Sequence, residues 1–278
     1  MQARERVVKW ARVIVIVAAL IWALAPIAFL LLTSIKPADA FLEIPPRLLP
    51  SSVTLDNFYE AFNKFDALRV AGNSLFVTSS VVVLSVLIGV PGGYALHRLK
   101  VSVKVVSLII ALLLFIRFYP RIASVVPWFL TVREIGQLDT TLAIVLAHIG
   151  FTVPLTTWLM HTAFRQVPPE FDEAATIDGA SVWQRLVRVQ IPMVVPAIAA
   201  AAILSAFLSW NEFLVASSTT REAAKVLPIT VAGFVTDKGV LWGPMAAIAI
   251  LIILPPLIFA LSSQKYLVRG LTGGGLKG

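Results

Sequence analysis

The chain lacks cysteine altogether and has few charged residues. Cysteine is absent from all 278 positions, which excludes disulfides, thiolate nucleophiles and cysteine-type zinc sites. Charged residues make up only 14% of the chain, whereas soluble domains carry roughly 25%. A water-facing surface cannot be built from so few charges, so the composition excludes an ordinary soluble domain.

Hydrophobic residues take the place of the missing charges. They make up 58% of the chain, and the mean hydropathy is +0.88. A membrane-spanning helix needs about 20 mostly apolar residues, and six stretches without strand-type alternation meet that requirement, which favours helices over a barrel. The predicted spans are residues 13–32, 75–96, 105–130, 142–164, 191–208 and 241–261. We therefore predict an all-α polytopic membrane protein with six transmembrane helices in a single domain, 1–278.

The charge distribution predicts the orientation of these spans. An even number of spans puts both termini on one side, together with the segment around Arg98 and the stretch 165–188. On that side Lys and Arg outnumber Asp and Glu by eight, which is the chain's whole formal net charge of +8. Because Lys and Arg concentrate in cytoplasmic loops, we predict cytoplasmic N and C termini. The excess of basic residues then reflects the orientation of the spans and contact with anionic membrane lipid. Because these basic residues are split among short segments, we expect no nucleic-acid binding.

The predicted cytoplasmic stretch between the fourth and fifth spans has the pattern of a helix, a glycine turn and a second helix. Pro168 and Pro169 can begin a helix, and the acidic residues that follow suit its N-terminus. Gly179 suits a turn that needs a positive φ. Ser181 is a candidate N-cap for the second helix. The segment should lie on the membrane face and expose a patch of small residues.

Motifs in this stretch resemble those of a known transporter family. The "EAA loop" of binding-protein-dependent ABC importer permeases is similar to Glu173-Ala174-Ala175, three residues, Gly179, nine residues, Val189, one residue, and Ile191-Pro192. The family usually has Ile in place of Val189 and Leu in place of Ile191, and both departures are conservative. Further motifs resemble its carbohydrate branch, the maltose-type permeases of the second kind: residues 166–170, 177–180, 210–213, 264–271 and 277–278.

The resemblance implies a transport subunit rather than an enzyme. In such permeases the EAA helix docks into a cleft of an ATPase subunit and moves with it. The resemblance implies that Glu173 pairs with a basic residue of the ATPase, and that small neighbours and a glycine turn allow close packing. The implied ATPase-coupling residues are Glu173, Ala174, Ala175, Asp178, Gly179 and Ala180.

The resemblance also implies a set of partners and a location. A second permease subunit, two ATPase subunits and an extracytoplasmic solute-binding protein would assemble with this chain in a bacterial or archaeal cytoplasmic membrane. The solute would be a sugar or sugar derivative, moved by alternating access. ATP and Mg would bind the ATPase chains, so we expect no catalytic residue, cofactor or metal in this one.

Four polar residues are candidates for the translocation path. Arg117 and Arg121 interrupt the third span, and a charge at the bilayer centre costs about 2.5–3.5 kcal/mol, so it tends to face a bundle interior or a wet cavity. Two interpretations stay open: a structural role, such as an ion pair with Glu212 or an interfacial position, or contact with a polar carbohydrate-like solute, neutral or anionic. For Asn211 and Glu212, near the outer end of the fifth span, the resemblance implies a position near the translocation cavity or the binding-protein contact; the alternative is that Asn211 caps exposed carbonyls and Glu212 pairs with a loop cation.

Other functions are compatible with parts of the pattern. An ABC permease for a phosphorylated polyol would have the same coupling segment. A secondary carrier should show repeated halves and buried ion ligands, and a nontransport scaffold would not need the helix–glycine–helix segment. His148 and His161 in the fourth span are either hydrogen-bonded residues of the bundle or contacts for a proton or solute.

Overall fold

The computed structural model describes residues 2–41, 43–45, 47–50, 52–98, 102–237 and 239–272, and within them the chain is almost wholly helical. The helices are α1 (Gln2–Ser34), α2 (Asp56–Asn63), α3 (Ala67–Arg98), α4 (Val103–Phe118), α5 (Arg121–Glu134), α6 (Thr141–Phe164), α7 (Pro169–Ile177), α8 (Val182–Gln184), α9 (Ile191–Trp210), α10 (Leu214–Thr219), α11 (Leu227–Thr230) and α12 (Trp242–Thr272). A π-helical turn, Arg185–Gln190, joins α8 to α9, and 3-10 turns cover Ala38–Phe41 and Val231–Phe234. Two short antiparallel strands, β1 (Val235–Thr236) and β2 (Gly239–Val240), pair with each other. The glycine-rich end, residues 273–278, lies outside the described residues.

Within the described residues, five helical stretches are long and apolar enough to cross a membrane, and a bent pair makes a sixth if it is one span. The five are Val8–Ser34, Ala67–Arg98, Thr141–Phe164, Val182–Trp210 and Trp242–Leu261. Each overlaps one of the predicted spans, and the all-α, multi-pass prediction is thereby confirmed.

The predicted third span, 105–130, is not one continuous helix. Helices α4 and α5 occupy this stretch and are bent by 85° relative to each other. Tyr119 has extended backbone angles, φ −56° and ψ 133°, because the residue before a proline is disfavoured in the α conformation. Pro120 has no N–H with which to continue α4, and it serves instead as the N-cap of α5. The apolar run therefore folds as two helices with a proline break between them.

The chain divides into two compact units: residues 1–69 with 230–254, and residues 70–229 with 255–278. In the first unit, the side-chain amide of Asn57 donates to the backbone oxygens of Ser34 at 2.9 Å and Lys36 at 2.7 Å. The rings of Phe65 and Phe234 pack with their centroids 4.2 Å apart. These contacts fold the polar stretch that follows α1. The expectation of a single membrane domain stays a prediction.

In the second unit, α3 packs closely against α6 through small residues. Ser85, Gly89 and Gly93 recur at every fourth position and so share one face of α3. A Cβ on Gly89 would lie 2.6 Å from the Cγ2 atom of Thr156, and one on Gly93 would lie 2.6 Å from the Cβ of Met160. Such spacing of small residues lets two membrane helices approach closely. Helix α6 also packs against α4 and α9, which makes it the central helix of this unit.

Candidate functional site

The stretch between α6 and α9 folds as the predicted helix, glycine turn and second helix. Pro168 is the N-cap of α7 and Pro169 its first residue. Gly179 has φ +75°, the left-handed conformation that favours glycine. Ser181 forms a capping box with Gln184: its hydroxyl accepts from the Gln184 N–H at 3.3 Å, and its own N–H donates to the Gln184 side chain at 2.8 Å. The turn and both helix starts are thus those predicted from local sequence.

Helix α7 presents an apolar and small-residue face to its surroundings. Phe171 is 50% exposed and Ile177 is 87% exposed. Ala174, halfway between them, is exposed too, and the three-residue spacing puts all three on one side of the helix. Glu173 lies exposed at the edge of this face. Exposed apolar surface of this kind, rimmed by polar residues, is typical of sites that contact another protein or a membrane.

The other implied coupling residues lie in or beside the same turn. Asp178 and Gly179 are exposed, whereas Ala175 and Ala180 are half-buried. The Gly179 N–H donates to the Thr176 backbone oxygen at 3.1 Å, and the Ala180 N–H donates to that of Ala175 at 3.0 Å. The structure therefore brings the six predicted residues together at one end of α7.

The opposite face of α7 carries a buried carboxylate that sequence reasoning missed. Asp172 is 4% exposed and forms an ion pair with Arg98 at the end of α3. Its side chain also lies 3.9 Å from the guanidinium of Arg185 and accepts a hydrogen bond from the Tyr94 hydroxyl at 3.2 Å. Asp172 thereby links α7 to α3 and to the π-helical turn before α9. We call these four residues, Tyr94, Arg98, Asp172 and Arg185, the Asp172 anchor.

The π-helical turn brings Arg185 to the anchor. Arg185 is 7% exposed, and its guanidinium also donates to the hydroxyl of Thr176 on α7. That hydroxyl in turn donates to the backbone oxygen of Asp172 at 2.6 Å. Single turns of π-helix occur frequently at functional sites. Arg188, one turn further, is exposed.

At the other end of α6, a buried polar cluster contains two of the residues singled out in the sequence. His148 is 1% exposed, with Nδ1 2.9 Å from the Ser209 hydroxyl and Nε2 3.3 Å from the carboxylate of Glu212. The Glu212 carboxylate also accepts the N–H groups of Val215 and Ala216, both at 3.1 Å. Glu212 therefore caps α10 and joins it to α6 and α9.

Two further polar residues have separate surroundings. The side-chain amide of Asn211 is exposed and donates to the backbone oxygen of Phe207 at 2.8 Å. His161 is buried, and its Nδ1 has no hydrogen-bond partner within the described residues. His148 is thus a hydrogen-bonded histidine of the bundle, as one of the two interpretations has it.

A cavity of about 230 Å³ lies beside the break between α4 and α5. The guanidinium carbon of Arg121 lies 4.2 Å from the ring centroid of Phe151 on α6. The indole Nε1 of Trp128 is buried without a hydrogen-bond partner in the described part of the chain. The lining residues are Ile116, Tyr119, Arg121, Ser124, Trp128, Leu146, Ala147, Gly150, Phe151 and Val215.

The two arginines of the third span differ in position. Arg121 lines the cavity, whereas Arg117 is half-buried in the last turn of α4 and does not line it. Glu212 lies within electrostatic range of Arg121, but among the described residues neither arginine forms an ion pair with it. The ion pair left open by the sequence is therefore not formed.

A loop carboxylate fastens the segment between α10 and α11. Asp139 adopts φ +59° and accepts four backbone N–H groups at 2.9–3.1 Å. Partial burial would raise the pKa of Asp139, but the backbone hydrogen bonds outweigh it and lower that pKa to about 2. From α3, the Asn73 amide donates to the backbone oxygens of Ala223 and Lys225 at 2.8 and 2.9 Å. The donors to Asp139 are Arg221, Glu222, Ala223 and Ala224.

Residues 86–273 match the family described as "Binding-protein-dependent transport system inner membrane component". The chain belongs to this family. The resemblance proposed from the coupling motif is thereby confirmed, and the protein is a multi-pass membrane component of a transport system, not an enzyme.

Similar proteins include named sugar permeases. A trehalose transport system permease protein of Mycobacterium tuberculosis, SugB, is 34% identical over 92% of this chain and 93% of its own. A trehalose/maltose permease protein of Thermococcus litoralis, MalG, is 32% identical over 99% of both chains. A sulfoquinovosyl glycerol permease protein of Agrobacterium fabrum, SmoH, is 30% identical over 92% of this chain and 89% of its own.

Solved structures show the same fold. A chain of a bacterial ABC transporter involved in the import of the acidic polysaccharide alginate is 25% identical and superimposes with a TM-score of 0.77, covering 94% of this chain and 97% of its own. A methionine ABC transporter chain in an inward-facing conformation is 19% identical, with a TM-score of 0.58 over 73% of this chain and 94% of its own.

Proposed function

We propose that this chain is a permease subunit of an ATP-driven ABC importer that moves a sugar or sugar derivative into the cell. Relatives that are at least 30% identical along almost the whole chain are named for trehalose, trehalose/maltose and sulfoquinovosyl glycerol transport. These names favour a carbohydrate over a phosphorylated polyol. Membership of a binding-protein-dependent family disfavours a self-sufficient secondary carrier.

The observation that carries the proposal is the two-sided character of α7. One side exposes Phe171, Ala174 and Ile177, a surface suited to a protein partner. The other side is fixed to the rest of the unit through the Asp172 anchor. A partner that pushes on the exposed side would therefore move the attached helices as well. This is the geometry that a coupling helix requires.

We assign the contact roles on this surface as follows. Glu173 pairs with a basic residue of the ATPase subunit, and Ala174 and Ala175 let the ATPase surface approach closely. Gly179, with Asp178 and Ala180 beside it, turns the chain from α7 into α8. ATP and Mg are held by the ATPase chains, and this chain supplies no cofactor site.

The transport cycle follows from this attachment. When two ATPase subunits close on ATP, they displace α7. The Asp172 anchor passes the displacement to the end of α3 and, through Arg185, to the π-helical turn that leads into α9. Rigid helices that can pack against each other in two alternative arrangements transmit such movements through a protein. The complex would include a second permease and an extracytoplasmic solute-binding protein in the cytoplasmic membrane, with both termini of this chain in the cytoplasm.

For the translocation path, Arg121 has the best structural support because it lines the cavity. Arg117, in the last turn of α4 on the other side of the break, adds a second positive charge near it. Glu212 is 2% exposed and bound to His148 and α10, so its proposed part is to position α10 beside the path. Asn211, exposed in the turn after α9, stays a predicted path residue.

Co-purification tests the coupling role. The tagged chain is isolated from native membranes in mild detergent, and the accompanying proteins are identified by mass spectrometry. We expect an ATPase subunit and a second permease, and we expect Glu173→Lys and Gly179→Pro to reduce the ATPase yield while the second permease remains. The matched control is Glu134→Lys, an exposed acid at the far end of α5. A chain that is isolated alone and transports solute without ATP would overturn the proposal.

A further inference from the structure

The cavity beside the α4–α5 break is built differently from the apolar surroundings of the spans. Three aromatic side chains, Tyr119, Trp128 and Phe151, line it together with the charged side chain of Arg121. Aromatic walls with a few directed polar groups are the usual composition of a small-molecule site. The cavity exists because Pro120 ends α4 and redirects the chain, which leaves space between α5 and α6.

Among the described residues, the positive charge at this cavity has no ion-pair partner. Arg121 lies over the Phe151 ring at 4.2 Å, and Arg117 lies within electrostatic range of it. Neither arginine forms an ion pair within the described residues. The carboxylate that interacts electrostatically with Arg121 is that of Glu212, and it is already bound to His148 and to two backbone N–H groups. Because an unpaired charge is costly at membrane depth, the site is suited to an anion.

We propose that this cavity is a subsite for the acidic group of an acidic sugar, such as a uronate or a sulfonated sugar. Its carboxylate or sulfonate binds Arg121, and the sugar ring lies against the aromatic walls. At about 230 Å³ the cavity is smaller than the roughly 300–1,000 Å³ of drug-sized sites, so it takes one sugar ring. This subsite rests on the proposed transport function, and it specifies an acidic sugar as the class of solute that passes Arg121.

Equilibrium binding to the purified full chain in nanodiscs tests this subsite. The probes are radiolabelled D-glucuronate and D-glucose, which differ in the acid group. We expect the chain to prefer glucuronate, and Arg121→Gln to weaken glucuronate binding roughly tenfold or more while glucose binding changes little, because the hydrogen bonds lost are to a charged group. Arg133→Gln, which removes an exposed arginine on the same helix, should change neither.

Three results would overturn the subsite. They are equal binding of glucuronate and glucose, no binding of either at millimolar concentration, and equal effects of Arg121→Gln and Arg133→Gln. Loss of the second permease from the Arg121→Gln complex, with glucuronate binding unchanged, would also overturn it, because the counter-charge would then come from the partner subunit. The proposed function is judged separately: if ATPase co-purifies but glucuronate is not preferred, the subsite fails and the importer assignment stands.

Discussion

Replacing Asp172 with asparagine tests the connection between the coupling helix and the rest of the unit. Asn is nearly isosteric, so it can still accept the hydrogen bond from the Tyr94 hydroxyl. It removes the negative charge that faces Arg98 and Arg185. Arg185 is 7% exposed, and the Thr176 hydroxyl would be left as its hydrogen-bond partner.

The size of the effect follows from the burial of the three charges. Breaking a buried ion pair by removing one partner costs about 3–5 kcal/mol. The Arg98 side chain is 34% exposed, and water stabilises that cation once its partner is gone. The cost therefore falls at the lower end, about 3 kcal/mol, most of it from the uncompensated charge of Arg185.

Unfolding of the purified chain in mixed micelles measures this cost, and a double-mutant cycle isolates the part that comes from the Asp172–Arg98 pair. Asp172→Asn, Arg98→Gln and the double variant should show a coupling energy of roughly 1–3 kcal/mol. Glu170→Gln, which removes an exposed acid in the first turn of the same helix, controls for loss of negative charge at the helix N-terminus. In the assembled complex, Asp172→Asn should leave ATP hydrolysis in place and reduce transport per ATP. An additive cycle, with transport per ATP unchanged, would refute the anchor.

Three further predictions concern single positions. Gly179→Ala should destabilise the turn by about 1–2 kcal/mol, because a Cβ is disfavoured at φ +75°. Gly179→Asn should destabilise it less. Equal free energies of unfolding for the two variants would contradict this prediction. Gly93→Ala should lower the free energy of unfolding by about 1–3 kcal/mol through overpacking, because the added Cβ would lie 2.6 Å from Met160. Gly72→Ala on the same helix has open space around the added Cβ and should not lower it. Asp139 has a folded pKa of about 2 against an ordinary 3.8, so its stabilisation is complete above about pH 4 and is lost as the pH falls toward 2. Asp139→Asn should lower the free energy of unfolding by roughly 1–2 kcal/mol at neutral pH, a value reduced for its exposure to solvent. It should also make the free energy of unfolding depend less on pH under acidic conditions. An unchanged pH dependence would show that the hydrogen bonds to Asp139 contribute nothing.

Local chemistry explains which features the sequence could predict. The start of α7 at Pro169, the turn at Gly179 and the cap at Ser181 each depend on residues within one helical turn. The spans depend on long apolar runs, which is a one-dimensional property. For the break at Tyr119 the signal was present, since Pro120 stands inside an apolar run, but the run's hydropathy favoured a single helix.

Contacts between distant parts of the chain could not be predicted in this way. Asp172 pairs with Arg98, 74 positions earlier, and Glu212 contacts His148, 64 positions earlier. In the sequence, Asp172 is one of several acids at the start of a helix, and nothing local shows that it faces inward. Its burial depends on where α3 ends relative to α7, which only the packing of the unit determines.

The exposed face of α7 should contact an ATPase subunit, and the natural absence of cysteine makes this contact directly testable. Ala174→Cys places a single thiol on that face, and a thiol-to-amine cross-linker in native membranes captures the lysine-bearing surface beside it. Glu134→Cys, exposed at the end of α5, is the matched control. We predict that Ala174→Cys cross-links to an ATPase chain, at a rate that changes when ATP is added, and that Glu134→Cys does not. Absence of the ATPase from the Ala174→Cys product, or equal capture by both variants, would contradict the account.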